Sequence, residues 1–192
     1  MACMDDMVLQ AMAKWPNVPD CYGWLGLDAR GNWYLREASA QQQGSFASGA
    51  PGAKGSRVQL DKLIAFIGRN YEVDARGCWY FQNGPQRVYL ELEAAPWVLR
   101  LQLAGQDVLH VHTHTGQAVQ VSSCWMDEGG RAYLQTDAGL GLVHTLDTGV
   151  LADALEMGLL PEPSGIDQQR VPAQFGFVRS PQALVGEQPA AG

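Results

Sequence analysis

A nine-residue segment at positions 27–35, LDARGNWYL, recurs at 73–81 as VDARGCWYF and more faintly at 126–134 as MDEGGRAYL. No other feature constrains the fold as tightly. Each copy places an apolar residue before Asp, closes a four-residue connection with Gly, and ends in Tyr followed by Leu or Phe. Asp opening such a connection and Gly closing it is hairpin chemistry. The carboxylate accepts hydrogen bonds from its own turn, and Gly tolerates the left-handed backbone that ends a type I turn with a bulge. The flanks are rich in Trp, Tyr, Leu and Val, which suit strands. Three related hairpins at similar but unequal spacing predict structurally repeated β-rich subdomains, not an open solenoid. Asp28, Asp74 and Asp127 occupy the same turn position, so their expected role is structural.

The 192 residues suffice for one domain or two small ones. At this length roughly 70% of the unfolded surface can be buried, so no covalent staple is needed. The net charge is −7 and Lys and Arg do not cluster, which disfavours nucleic acid as a partner. Cys3, Cys21, Cys78 and Cys124 are scattered, with no C-x-x-C, as expected in a reducing compartment. The opening MACMDDMVLQAMAKW carries acids before any base and no signal-peptide pattern. No apolar run approaches the length of a membrane span. The expected location is therefore cytoplasmic, with no membrane partner.

Along the chain, residues 4–14 show a short amphipathic helix, ended by Trp15-Pro16. The first hairpin follows, then a Gln/Gly/Ser-rich connection over 38–55 that reads as loop. Ser56 and Gln59 form a capping-box pair ahead of an apolar helical face at Val58, Leu60, Leu63, Ile64 and Ile67. Beyond the second hairpin, residues 87–93 alternate, with Val88, Leu90 and Leu92 predicted inside and Arg87, Tyr89, Glu91 and Glu93 on a wet or functional face. Short strands at 97–103, 108–115 and 118–122 predict an antiparallel meander. Thr148 caps a last helix over 149–159. The rest is rich in Pro, Gln and Gly, with one expected strand at 175–179 and frayed residues at the end.

Two sets of residues carry potential chemistry. His110, His112 and His114 alternate on one strand and so share a face, roughly 6–7 Å apart. Imidazoles so placed can seed a zinc or iron site, with Glu91 and Glu93 as candidate carboxylate ligands. The opposing reading is a solvated strand face with no cofactor. Tyr80, Tyr89, Arg87 and Trp97 are expected to line a groove between subdomains, where Arg87 would grip a carboxylate or phosphate unless Glu91 or Glu93 satisfies it. No nucleophile stands out. Cys78 sits at a hairpin position and Cys124 beside Trp125 looks like core.

Several short matches carry a family resemblance. They are a D-x-x-G-x-W-[YF] hairpin ahead of an amphipathic helix, V-Y-L-E-L-E-A-A-P-W at 88–97, T-H-T-G-Q-A-V at 113–119, and F-G-F-V-R-S at 175–180. In these the chain resembles the proteobacterial domain-of-unknown-function family 1285, or an uncharacterised sister of it, over about residues 19–180. The long Gln/Gly connection, the N-terminal helix and the Pro-rich insert after Leu160 depart from that pattern. The resemblance implies a bacterial protein with two similar α+β subdomains and a role in signalling or ligand sensing. It implies no catalytic residue or cofactor.

The expected fold is α+β, with two β-rich subdomains, mostly antiparallel sheets and few helices. The expected division is an N-terminal helical extension at 1–18, subdomains at 19–86 and 87–180, and a flexible tail at 181–192. The leading functional expectation is a non-catalytic module that binds a small molecule or a protein partner, in a signalling or regulatory role. The alternatives are a metal-binding protein or metal-dependent enzyme built on the histidine strand, and a homo-oligomeric scaffold joined through the N-terminal helix.

Overall fold

The computed structural model describes residues 4–105 and 107–186. These form two six-stranded sheets and six α-helices, a mostly β, α+β fold with two β-rich parts. The chain divides into two compact units, one of Met1–Asp28, Asn32–Glu93 and Gly176–Gly192 and another of Ala29–Gly31 and Ala94–Phe175. Among the described residues, no helix is long and apolar enough to cross a membrane.

The first unit contains β1 (Cys21–Leu27), β2 (Trp33–Leu35), β3 (Ser56–Arg57), β4 (Tyr71–Val73), β5 (Trp79–Asn83) and β6 (Gln86–Leu92), in the order β3-β2-β1-β6-β5-β4. Neighbours run antiparallel except β1 and β6, which pair in parallel at the centre. Strand alternation sends Leu25, Leu27, Phe81, Leu90 and Leu92 to one face, where α3 (Asp61–Arg69) packs. Phe66 of α3 meets Phe81 edge to face, with ring centroids 5.5 Å apart. Acidic Asp61 and basic Arg69 stand at the ends of α3 that the helix dipole favours. The N-terminal helix α1 (Asp6–Lys14) buries Val8, and Asp5 just before it holds the Arg69 guanidinium at 3.1 Å.

The opposite face is also covered. Phe46 lies so close over Gly26 that a Cβ there would fall 2.5 Å from its ring. The chain from Gly176 onward covers more of this face. Val178 N–H donates to Gly77 O and Leu92 N–H to Arg179 O, and α6 (Pro181–Gly186) follows. Tyr89 and Glu91, expected on a wet or functional face, are therefore buried.

In the second unit, β7 (Trp97–Ala104), β8 (Val108–Thr113), β9 (Val121–Asp127), β10 (Ala132–Thr136), β11 (Gly139–Val143) and β12 (Pro163–Ile166) follow the order β12-β9-β10-β11-β7-β8. The antiparallel run β9-β10-β11 joins β7 in parallel, and β12 adds in parallel to β9. With β7 and β8 also paired antiparallel, the expected simple meander is replaced by three antiparallel ladders and two parallel seams. A 3-10 turn at Thr145–Asp147 leads into α4 (Thr148–Glu156). Asp147 there accepts from Arg100 Nε at 2.7 Å and from Leu101 N–H at 3.0 Å.

All three Asp-to-Gly turns share one hydrogen-bond pattern. The main-chain N–H of Asp28, Asp74 and Asp127 donates to the carbonyl four residues on, each at 3.0 Å. In return, one carboxylate oxygen of each accepts the main-chain N–H of that residue, at 2.8, 3.0 and 2.9 Å. Gly31, Gly77 and Gly130 close these turns at φ of 82°, 80° and 78°.

Several local expectations are corrected. Ser56 caps no helix. Its strand pairs with Leu35, and Val58 N–H donates to Trp33 O, so the helix begins only at Asp61. The Gln-rich connection opens with a helix, α2 (Ala38–Gln42), and the helix after Thr148 is followed by α5 (Val171–Phe175) and α6. The expected strand at 175–179 is the end of α5, a turn at Gly176 and an irregular segment. The boundary between the units falls after Glu93, so β6 belongs to the first unit. Of the expected tail, 181–186 form α6 and 187–192 lie outside the described residues, as does Cys3.

Candidate functional site

One helix cannot cover a six-stranded sheet. An α-helix is ~10 Å wide and strands lie ~4.8 Å apart, so α3 shields roughly two strands of the first unit. Beside it, toward β1 and β2, a cleft of about 400 Å³ remains open. Its floor is Leu25, Phe81 and Val88 from β1, β5 and β6, and its wall is Leu63 and Ile67 of α3. Trp24 and Leu35 reach into it, each 46% exposed. The pairing of β1 with β6 shifts register between Cys21 and Leu25, and Gly23 in that bulge takes φ 80°. Such bulges re-aim side chains, and Cys21 and Trp24 on either side of Gly23 both line the cleft.

The polar groups of the cleft differ in what they offer. Arg36 is 1% exposed. Its Nε donates to Ala53 O at 2.8 Å, Nη1 to Gly23 O at 3.1 Å and Nη2 to Gly44 O at 2.7 Å. Burial pulls its pKa down, and the nearby Glu91 charge opposes that. This guanidinium ties the 43–55 connection to the bulge and is shut off from solvent. Burial also raises the pKa of the Cys21 thiol, which keeps it protonated and weakly nucleophilic. Glu37 is exposed and makes no capping hydrogen bond to α2. Leu35 and Glu37 form a shared wall with a second depression of about 360 Å³, lined by Ser39, Gln43, Ser56 and backbone near Gly52 and Gly55.

Three of the four residues expected in a binding groove do come together, on the sheet face opposite the cleft. The Arg87 guanidinium lies 4.7 Å from the Tyr80 ring centre, and Tyr80 and Tyr89 are 5.6 Å apart. Tyr22 stacks on Tyr89 at 4.7 Å with a 5° interplanar angle. The Tyr89 hydroxyl donates to Asp74 Oδ2 at 3.0 Å, and Arg76 pairs with the same carboxylate. Burial alone would raise the pKa of Asp74, but the Arg76 side chain, the Cys78 and Arg76 amides and the Tyr89 hydroxyl bring it below the ordinary value. Neither carboxylate foreseen as a partner of Arg87 holds it. Glu91 accepts from Gln182 N–H and Glu93 pairs with Lys54 at 2.8 Å. Asp20, Glu72 and Asp74 act electrostatically on Tyr80 together with Arg87. The cluster is therefore not a net cationic patch. Trp97 belongs to the second unit, where its Nε1 donates to Ala138 O at 2.7 Å.

The histidines separate. His110 and His112 share a face of β8 with ring centroids 6.3 Å apart. His114 lies beyond the strand end, where its Nδ1 accepts from Val98 N–H at 3.2 Å. Among the described residues, no three His, Cys, Asp or Glu side chains gather so as to hold a metal ion.

Sequence reasoning missed Trp24, Leu35 and Glu37. The one local signal was Gly23 inside an otherwise aromatic and apolar strand, which marks a bulge. The cleft itself depends on how far α3 extends over the sheet, which no local pattern encodes.

Residues 4–182 match the DUF2944 family model, described as "Protein of unknown function (DUF2946)". No curated protein matches the chain significantly. Among solved structures, the chain is similar to a DUF1285 family protein from Silicibacter pomeroyi DSS-3, with a TM-score of 0.46 and 15% identity, covering 79% of this chain and 85% of that one. It is also similar to a DUF1285 family protein from Shewanella baltica OS155, with a TM-score of 0.44 and 14% identity, covering 68% of this chain and 91% of that one. The DUF1285 resemblance carried by the sequence motifs is thus met again among solved structures.

Proposed function

The chain belongs to the DUF2944 family, described as protein of unknown function (DUF2946), and from its own geometry we propose that it is a non-catalytic module binding a small, largely apolar ligand in the cleft beside α3. The observation that carries this reading is the cleft, about 400 Å³ in volume, with the half-exposed Trp24 and Leu35 among the residues that line it. Small-molecule sites are typically concave and mostly apolar, roughly 300–1,000 Å³, with a few placed polar groups. The engaged donors of Arg36 and the protonated thiol of Cys21 support binding over turnover, since neither is poised to react. A sensing or regulatory role is part of the same proposal. The free thiols Cys21, Cys78 and Cys124 support a cytoplasmic setting.

The test uses the neutral fluorophore N-phenyl-1-naphthylamine with the full chain. Its emission should rise on binding and saturate at one equivalent. Trp24→Ala should weaken binding about three- to tenfold, the worth of one aromatic contact, and Leu35→Gln should weaken it as well. A probe that does not bind, or that binds both variants as it binds the unaltered protein, would remove the cleft from consideration.

A further inference from the structure

We infer that the cleft takes an amine-bearing amphiphile, a soluble ligand whose apolar body fills the space beside α3 and whose cationic head lies at Glu37. The inference rests on the reading of the cleft as a ligand site and adds the class of ligand.

Three observations carry it. The first is the charge of the walls. Across the cleft and the adjoining depression, the lining residues include no lysine and a single arginine, Arg36. Arg36 is 1% exposed, and its Nε, Nη1 and Nη2 already donate to three carbonyls. A carboxylate or phosphate on the ligand would lose water and find no cation in exchange. The second is Glu37. It lines both concavities, is exposed, and makes no capping bond. It therefore stands at the point where a ligand leaves the apolar space. The third is the polarity of the adjoining depression. Ser39, Gln43 and Ser56 line it and are exposed. Their hydroxyl and amide oxygens can accept hydrogen bonds from an ammonium head held at Glu37. Apolar floor, acidic threshold and polar forecourt thus follow one another in the order of an amphiphile's own parts. The net charge of −7 acts in the same direction at longer range.

The test compares three probes with one hydrocarbon body, 2-naphthylmethylamine, 2-naphthalenemethanol and 2-naphthoate. Each is titrated as a competitor of N-phenyl-1-naphthylamine at low salt. The alcohol reports the apolar body alone. The amine should bind about fivefold tighter than the alcohol, and the carboxylate weaker than the alcohol, as expected for one partly exposed charge pair. In Glu37→Gln the amine-to-alcohol ratio should fall toward one. In wild type it should also fall as salt rises past ~0.1 M, where the screening length is about 10 Å. If the alcohol binds but the amine gains nothing over it, or if Glu37→Gln keeps the full ratio, the inference is wrong while the cleft remains a ligand site. If none of the three competes and the reporter does not bind either, both readings fall together.

Discussion

Replacing Asp127 probes how the third Asp turn is held. The Asp127 side chain is fully buried and takes four hydrogen bonds. Oδ1 accepts the Gly129 and Arg131 amides, each at 2.9 Å, and Oδ2 accepts Arg131 Nε at 2.9 Å and the Tyr133 hydroxyl at 3.2 Å. Burial by itself would raise its pKa, but the Arg131 amide, the Arg131 guanidinium and Tyr133 bring it below the ordinary carboxylate value. Asp127→Ala removes all four partners. The two amide bonds contribute about 1 kcal/mol each. Leaving a buried tyrosine hydroxyl and a guanidinium without their acceptor costs about 2 kcal/mol more. That figure is below the ~3–5 kcal/mol of a wholly buried pair, because the Arg131 side chain is 33% exposed. The total of about 4 kcal/mol lowers the melting temperature by roughly 8–16 °C for a chain of this length.

Asp127→Asn keeps an oxygen for the two amides and loses only the charged half, so it should cost about 2 kcal/mol. The assay is calorimetry of the three proteins from pH 3 to 8. A depressed native pKa means that stability is present above the unfolded value and is lost as pH falls through the native one. The gap between wild type and Asp127→Asn should therefore be full above about pH 5 and begin to shrink as the pH falls below the ordinary carboxylate value of 3.8. Equal losses for Ala and Asn, or a gap that does not shrink at all between pH 5 and pH 3, would refute the division between turn and ion pair.

Other outcomes follow from single contacts. Burial raises the pKa of Glu91, with Ser180, Gln182 and Arg36 opposing. The native state then holds a proton more tightly than the unfolded one, so this group's contribution to stability grows as pH falls toward about 4.5. Glu91→Gln should raise the urea midpoint at pH 8 and give no gain at pH 4, and a loss at pH 8 would count against the burial argument. Gly77→Ala forces a side chain into φ 80° and places Cβ 2.2 Å from Gly176 O. It should cost at least about 2 kcal/mol, a melting shift of roughly 4 °C or more, whereas a neutral result would mean that the segment from Gly176 does not hold its place. With His110 and His112 adjacent and no group of three ligands among the described residues, zinc should move the melting temperature by less than about 1 °C, against several degrees for a well-filled site. A larger rise abolished by His112→Ala would restore the metal reading.

The features legible in sequence were those set by local chemistry. An Asp followed three residues later by Gly, with strand formers on both sides, leaves the backbone few alternatives to a hairpin, and all three such turns form. The α3 face was equally plain, because Leu63 and Ile67 fall one turn apart. Ser56 shows where local chemistry loses. Its capping potential was real, but two residues of ladder to Tyr34 and Leu35 won, since Val58 N–H could then reach Trp33 O. β6 shows a deeper limit. Its alternation correctly separated Val88 and Leu90 from Arg87 and Tyr89, yet period two tells only which residues share a face, not what will lie over it. The cover on the Tyr89 and Glu91 face comes from Phe46 and from residues beyond Gly176, each more than 40 positions from either residue it helps to bury. The cleft is the converse case. It lies beside a nine-residue helix, toward β1 and β2, so Trp24 and Leu35 carry ordinary strand residues' signatures and nothing local marks them as lining a cleft.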